Sequence, residues 1–279
     1  MQNIKLIASD LDGTLLLDGR DTLKKETLSL IRKITEKGIV FAVASGRQYE
    51  NLRELFSEIS DDIAYICYNG GLCVYKGETI YENYMERDLA LSIAKEIELD
   101  KKSRAMISIQ AAELIRSGDE SFLSYMHDFV KAKTRVIDSF ETVKENVFKV
   151  ALYNEDEQLN ARFWEEKYRG VCEVLTSGNV WLDFIPYFSD KGTALRILAE
   201  HLGISRESVL AFGDNDNDIE MLSYAGIPVT MCSAREEIQK HGKFSTPSVD
   251  DVLKTLLQES AHFHIAISRF CAAANREGV

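Results

Sequence analysis

The chain has 279 residues, 45% hydrophobic and 28% charged, the balance of a globular protein long enough for one large or two ordinary domains. Its 45 acidic and 33 basic side chains leave a formal net charge of −12, which argues against a nucleic-acid partner, because phosphate backbones need clustered Lys and Arg. A small phosphorylated ligand stays open, since a metal ion and one or two local cations reverse the field inside a pocket.

The first residues, Met1 to Asp10, hold an apolar stretch too short for a signal-peptide core or a membrane span, and it ends in an acid. No later apolar run approaches spanning length. The cysteines Cys67, Cys73, Cys172, Cys232 and Cys271 are odd in number and form no Cys-x-x-Cys pair, a pattern of free thiols in reducing surroundings. A soluble cytoplasmic protein with no membrane partner is expected.

Ile4 to Ser9 reads as a short buried strand. Leu23, Thr27, Leu30, Ile31 and Ile34 follow helical spacing, and Gly38 stands where a helix stops. Ile39 to Val43 is a continuous apolar run, Tyr49 to Phe56 is helical, and Ala64 to Cys67 is a further buried strand. This alternation predicts a parallel sheet covered on both faces.

The pattern changes near residue 84. Met106–Gln110, Leu114–Arg116, Phe148–Tyr153, Val171–Thr176 and Val180–Ile185 read as strands, with helices from about Glu120 to Lys131 and Glu155 to Tyr168. The alternation in Trp181-Leu182-Asp183-Phe184 predicts strands with one exposed face, as in an antiparallel α+β module. After Pro186 the first pattern returns: a helix opens at Lys191, Val209–Phe212 is a buried strand, and another helix follows from about Asn217. The reading is an α/β protein with a doubly wound, Rossmann-like core over residues 1–83 and 187–279, interrupted by an α+β insert over 84–186.

The chemistry sits at the strand ends. Asp10-Leu11-Asp12-Gly13-Thr14-Leu15 follows the first strand directly, and ligands of open parallel sheets bind beyond the carboxyl ends of their strands. A carboxylate is a competent nucleophile toward phosphorus, and a second acid two residues away serves as proton donor and then base. Alone, the same stretch also fits a loop with an Asp helix cap. Gly213-Asp214-Asn215-Asp216-Asn217-Asp218 concentrates hard oxygen ligands of the kind Mg²⁺ takes at a second strand end. Ser45-Gly46-Arg47 supplies a hydroxyl and free N–H groups at a third. Lys191-Gly192 puts a cation in the first turn of a helix, where the dipole disfavours it unless an anion lies nearby.

With these four elements in the chain order Asp10–Leu15, Ser45–Arg47, Lys191–Gly192 and Gly213–Asp218, the chain resembles the haloacid dehalogenase-like phosphatases, and within them the Cof-type, type-IIB branch. Asn69-Gly70-Gly71 is similar to a turn that branch carries after its third core strand. The resemblance runs to about residue 240 and implies a cap domain, the 84–186 insert, that sets substrate specificity. Met231-Cys232-Ser233-Ala234 departs from the branch's usual Gly-Asn-Ala, and Thr246–Val252 lacks its terminal Gly. The tail from Glu259 to Val279, with His262-Phe263-His264, extends past the family's end and reads as a surface helix or frayed tail.

The resemblance further implies a Mg²⁺-dependent phosphatase acting on a small phosphorylated metabolite, a sugar phosphate foremost. Asp10 is then the nucleophile and Asp12 the acid and base. Asp10, Asp214 and the backbone carbonyl of Asp12 hold the metal, with Asp218 outside them or orienting Lys191. Leu11, Ser45, Gly46, Lys191 and Asn217 hold the phosphoryl oxygens. A phosphomutase or phosphotransferase of the same superfamily, and a phosphometabolite binder without turnover, remain as alternatives.

Overall fold

The computed structural model describes residues 4–17, 19–155, 159–176 and 180–258. The tail from Glu259, with His262-Phe263-His264, lies outside the described residues, as does part of the expected 155–168 helix.

Strand β1 (Leu6–Asp10) is buried along its whole length, as its apolar run requires. Helix α1 (Lys25–Glu36) buries Leu28, Leu30, Ile31 and Ile34 on one stripe, and Gly38, at φ +81°, lets the chain leave it. Strand β2 (Val40–Ala44), helix α2 (Tyr49–Leu55) and strand β3 (Ala64–Cys67) follow. Next comes a hairpin that the periodicity did not announce, β4 (Leu72–Tyr75) and β5 (Glu78–Glu82). Its two-residue turn puts Lys76 at φ +51° and Gly77 at φ +77°, the left-handed pair that tight hairpins favour.

Helix α3 (Arg87–Ile97), also unforeseen, buries Ala90, Leu91, Ile93, Ala94 and Ile97. Strands β6 (Ser103–Ile109) and β7 (Ala112–Arg116) form a hairpin. The helix expected over 120–131 is shorter: α4 (Glu120–Tyr125) runs into a π-turn over Met126–Val130. Lys131, at φ +57°, then turns the chain so that Ala132 N closes on Met126 O at 3.1 Å. Strand β8 (Thr134–Ile137), β9 (Lys149–Asn154), helix α5 (Ala161–Tyr168), β10 (Glu173–Thr176) and β11 (Trp181–Ile185) complete the middle of the chain.

The chain returns through α6 (Lys191–His201), β12 (Val209–Gly213), α7 (Ile219–Tyr224), β13 (Ile227–Met231), α8 (Glu236–Gln239), β14 (Phe244–Thr246) and α9 (Val249–Gln258). The helix expected from Asn217 is a 3₁₀ turn, Asp216–Asp218, leading into α7.

Two compact units result. Of the described residues, one holds those up to Gly46, then Leu52–Tyr81, and those from Asp190 to Gln258; the other holds Arg47–Asn51 and those between Glu82 and Ser189. The first contains an eight-stranded sheet ordered β14-β13-β12-β1-β2-β3-β4-β5. Its pairings from β14 through β3 are parallel, and β4 runs antiparallel to β3. The order reverses at β1, which pairs with β12 on one side and β2 on the other, so the carboxyl ends of these three strands share one edge at a topological switch point.

The second unit contains a six-stranded sheet ordered β10-β11-β9-β6-β7-β8, antiparallel throughout except for β7 with β8. One face packs Ile107, Leu114, Val150, Leu152, Leu182 and Phe184 into a core with α3, and α5 adds Tyr168 and Trp164. The other face carries a smaller cluster of Met106, Ile115, Ala151 and Tyr153 with Phe122 and Met126. Asp183 corrects the expected exposed polar face: it is buried, paired to Lys149 of the neighbouring strand.

Candidate active site

Asp10 is the last residue of β1, opposite Ala44 of β2, and its carboxylate is buried. The Lys191 ammonium, in the first turn of α6, donates to Asp10 Oδ1 at 2.6 Å and to Asp218 Oδ1 at 2.7 Å. Asp218 Oδ2 in turn accepts from the backbone N–H of Asp214 at 2.9 Å and of Asn215 at 3.0 Å, folding the loop after β12 around it. Asp190 caps α6, its carboxylate taking the Thr193 N–H and hydroxyl at 2.7 Å each, and so sets where Lys191 leaves the helix.

The third carboxylate, Asp214, is half-buried and held by the Thr14 hydroxyl, which donates to Oδ1 at 2.6 Å. Gly13 makes this approach possible. Its φ of +93° is left-handed, and a Cβ there would lie 2.3 Å from Asp214 Oδ2. Asp10, Asp214 and Asp218 each offer an oxygen within 4.8 Å of the others.

The electrostatics of this cluster are unbalanced. Burial raises the Asp10 carboxyl well above its ordinary value, and the charge of Asp218 adds to this while Lys191 opposes it. Burial likewise raises Asp214, with Asp218 reinforcing and Thr14 opposing. Burial works against the Lys191 ammonium, but Asp10 and Asp218 outweigh it and keep it protonated. Three carboxylates against one ammonium leave an excess of buried negative charge, and Asp10 Oδ2 is buried with no hydrogen-bond partner. An all-oxygen donor set with one orphaned carboxylate oxygen fits a hard divalent cation such as Mg²⁺.

The other residues singled out by sequence fall around the same sheet edge. Leu11 is buried, and its carbonyl accepts from the N–H groups of Leu15 at 2.9 Å and Leu16 at 2.7 Å, which curls the loop after β1. Ser45 follows β2 and is buried, and its carbonyl accepts the Asn69 N–H at 3.1 Å. Gly46 runs so close to Asn69 that a Cβ would stand 3.0 Å from Asn69 Oδ1. That oxygen accepts from the Asn217 side chain at 3.1 Å, so Asn69 ties the β2, β3 and β12 loops together. The Asp12 side chain is exposed and lies outside the carboxylate cluster.

Sequence reasoning gave no role to Thr14, Asp190 or Asn69. Thr14 lies inside the hexapeptide already singled out, and Asn69-Gly70-Gly71 was recognised as a turn; Asp190 has the ordinary appearance of a helix cap. Thr14 and Asn69 hold partners distant in sequence, Asp214 and Asn217, whereas Asp190 holds Thr193 within its own helix turn.

Among known proteins, this chain is 28% identical over 94% of its length to the 5-amino-6-(5-phospho-D-ribitylamino)uracil phosphatase YbjI of Escherichia coli, covering 99% of that protein. It is 28% identical over 84% of its length to the HMP-PP phosphatase of Shigella flexneri, covering 86% of it. A crystal structure from Eubacterium rectale superposes with a TM-score of 0.82 at 27% identity, over 91% of this chain and 99% of that one. The sequence model of the haloacid dehalogenase-like hydrolases matches residues 7–256, and with the carboxylate cluster at the switch point of a doubly wound sheet, the chain belongs to that family of hydrolytic enzymes.

Proposed function

We propose that this enzyme is a Mg²⁺-dependent phosphatase that hydrolyses the phosphate monoester of a small metabolite through an aspartyl-phosphate on Asp10. The observation that carries the reading is the Asp10 carboxylate, buried and gripped at one oxygen by Lys191 while the other has no partner. Such a carboxylate is fixed in rotation and has an oxygen available for chemistry.

Asp10, Asp214 and the backbone carbonyl of Asp12 are the groups that would hold Mg²⁺, which supplies positive charge where an anionic nucleophile meets an anionic phosphoryl group. Lys191 stays protonated and adds a second positive charge beside Asp10. Ser45, the N–H groups of Leu11 and Gly46, and the Asn217 amide orient the phosphoryl oxygens. Asp10 attacks phosphorus as the ester P–O bond breaks, and the Asp12 carboxyl gives its proton to the departing oxygen. Water then attacks phosphorus, Asp12 takes back a proton, and the P–O bond to Asp10 breaks to release phosphate. Asp218 takes no covalent part and orients Lys191 and the 214–215 backbone.

The second unit acts as the cap that selects the leaving group. The Escherichia coli relative is named for a phosphorylated ribityl compound, which supports a polyol or sugar phosphate as the substrate class here. Free, buried thiols at Cys67, Cys73 and Cys172 support a reducing, cytoplasmic setting, and among the described residues no helix is long and apolar enough to cross a membrane.

Incubating the protein with a panel of phosphorylated metabolites, with and without Mg²⁺, tests this. Mg²⁺-dependent release of inorganic phosphate is expected. Isomerised product without phosphate release would identify a mutase, and binding without turnover would identify a sensor.

A further inference from the structure

Strand β3 ends in a turn with successive positive φ angles: Tyr68 at +53°, Asn69 at +56° and Gly70 at +102°. Glycine adopts such angles freely and asparagine tolerates them, but tyrosine rarely does. All of these residues are buried. Strained backbone of this kind persists only where its surroundings hold it, and it gathers at functional sites.

The turn meets its neighbours at the sheet edge of the first unit, to which every residue named below belongs. The Asn69 N–H donates to the Ser45 carbonyl after β2 at 3.1 Å. Gly70 lies against the start of α6, where a Cβ would come within 2.1 Å of the Asp190 carbonyl oxygen. The Asn69 side chain, in a residue only 7% exposed, accepts at Oδ1 from Asn217 Nδ2 at 3.1 Å.

Fastening the turn does not account for that side-chain bond. The backbone bonds from Asn69 N–H to Ser45 and from Gly71 N–H to Tyr68, both 3.1 Å, already do so. Among the described residues, the bond to Asn69 is the one that the half-buried Asn217 side chain makes. An amide carries two donors at one end and an acceptor at the other, and its two ends have nearly the same shape. By taking one N–H of Nδ2, Asn69 decides which end of Asn217 is held and leaves the second N–H for another acceptor. Turned over, the same amide would offer a carbonyl dipole that repels an anion.

We propose that Asn69 is a positioning residue for phosphoryl transfer, which fixes the Asn217 amide so that its second N–H meets a phosphoryl oxygen. This deepens the phosphatase reading above and rests on Asn217 contacting the phosphoryl group in it.

The test is a double-variant cycle on the full-length enzyme in saturating Mg²⁺, with Asn69→Gly, Asn217→Ala and both together. Glycine accepts the left-handed backbone, so Asn69→Gly removes the side chain without adding strain. The readouts are kcat/KM for p-nitrophenyl phosphate or the best substrate of the metabolite panel, the inhibition constant of inorganic phosphate, and the Mg²⁺ concentration for half-maximal rate. Asn69→Gly alone should lower kcat/KM about tenfold and raise the phosphate inhibition constant, with the Mg²⁺ requirement unchanged. In the Asn217→Ala background, the same substitution should change kcat/KM by less than about twofold. An equal loss in both backgrounds overturns the proposal, because Asn69 then acts by another route. So does no loss at all, or a loss accompanied by a higher Mg²⁺ requirement, as a general loosening of the sheet edge would give. If Asn217→Ala keeps the wild-type kcat/KM, Asn217 does not contact the phosphoryl group and the role of Asn69 falls with it, while the chemistry at Asp10 stands. A wild type that releases phosphate from none of these substrates overturns the phosphatase reading itself.

Discussion

Lys191 Nζ stands 2.6 Å from Asp10 Oδ1, joining two buried residues that are 181 positions apart in the chain. The ammonium serves two ends: it balances part of the charge of a three-carboxylate cluster, and it holds Asp10 by one oxygen while Oδ2 stays without a hydrogen-bond partner. If Asp10 is the nucleophile, Asp10→Asn removes the covalent step while keeping the shape of the side chain. Phosphate release should drop by more than about a thousandfold. A variant that keeps a sizeable fraction of turnover would eliminate the aspartyl-phosphate.

Lys191→Met leaves Asp10 and Asp218 facing each other without a cation. Breaking a buried ion pair by removing one partner costs about 3–5 kcal/mol, so the variant should melt well below the wild type in metal-free buffer. Added Mg²⁺ should raise the melting temperature of the variant more than that of the wild type, because the carboxylates have lost their competing cation. Equal Mg²⁺ responses would mean that the cation does not bind beside Lys191.

Thr14 holds Asp214, a proposed metal ligand, through one hydrogen bond. Thr14→Val keeps the shape but removes the donor to Asp214 Oδ1, a bond to a charged group worth about 1.5–3 kcal/mol. The Mg²⁺ concentration for half-maximal activity should rise about tenfold or more, with smaller change in the rate at saturating metal. A drop in saturated rate with an unchanged Mg²⁺ requirement would remove Thr14 from metal binding.

Gly13→Ala meets two obstacles at once. A left-handed backbone costs a non-glycine residue about 1–2 kcal/mol, and the new Cβ drives into Asp214 Oδ2. Activity should suffer far more than stability, since the carboxylate must move to admit the methyl group. Mg²⁺ titration alongside thermal melting separates the two effects, and near-normal Mg²⁺-dependent turnover would show that the loop yields without displacing Asp214.

Glu113 gives the pH dependence of the second unit a definite sign. Burial raises its carboxyl above the ordinary value, with Lys149 and Ser108 pulling the other way. An acid whose value is raised on folding contributes its stability fully below the unfolded value and loses it as pH rises through the folded one. Glu113→Gln resembles the uncharged form, so it should melt at or above the wild type near neutrality, with the advantage vanishing under acidic conditions. A larger deficit at neutral than at acidic pH would make the charged Glu113 a stabilising group.

The hexapeptide from Asp10 to Leu15, the Ser45-Gly46 junction and the acidic loop from Asp214 were legible because their pattern is local. In each case, an apolar run long enough for one buried strand ends abruptly in polar residues, and the parallel-sheet rule brings such ends to one edge. Short elements were less legible. The β4–β5 hairpin and α3 were missed, and β13 and β14 had not been assigned. The helix expected over 120–131 passes into a π-turn at Met126 and ends at the left-handed Lys131, neither of which an apolar period reveals.

Asp183 shows the limit most clearly. Alternation along Trp181-Leu182-Asp183-Phe184 correctly separated the two faces of a strand, yet it made the polar face a solvent face. Only the neighbouring strand, which brings Lys149 to 3.0 Å, accounts for a carboxylate buried there. Residue order along the chain was enough for the fold family and for the kinds of group at each strand end, because both depend on local pattern and on the handedness of strand crossovers. Which groups pair depended on the folded sheets. Thr14 with Asp214, Lys191 with Asp10 and Asp218, and Lys149 with Asp183 meet only through strand register and loop closure, and the strength of a buried charge is set by partners far away in sequence.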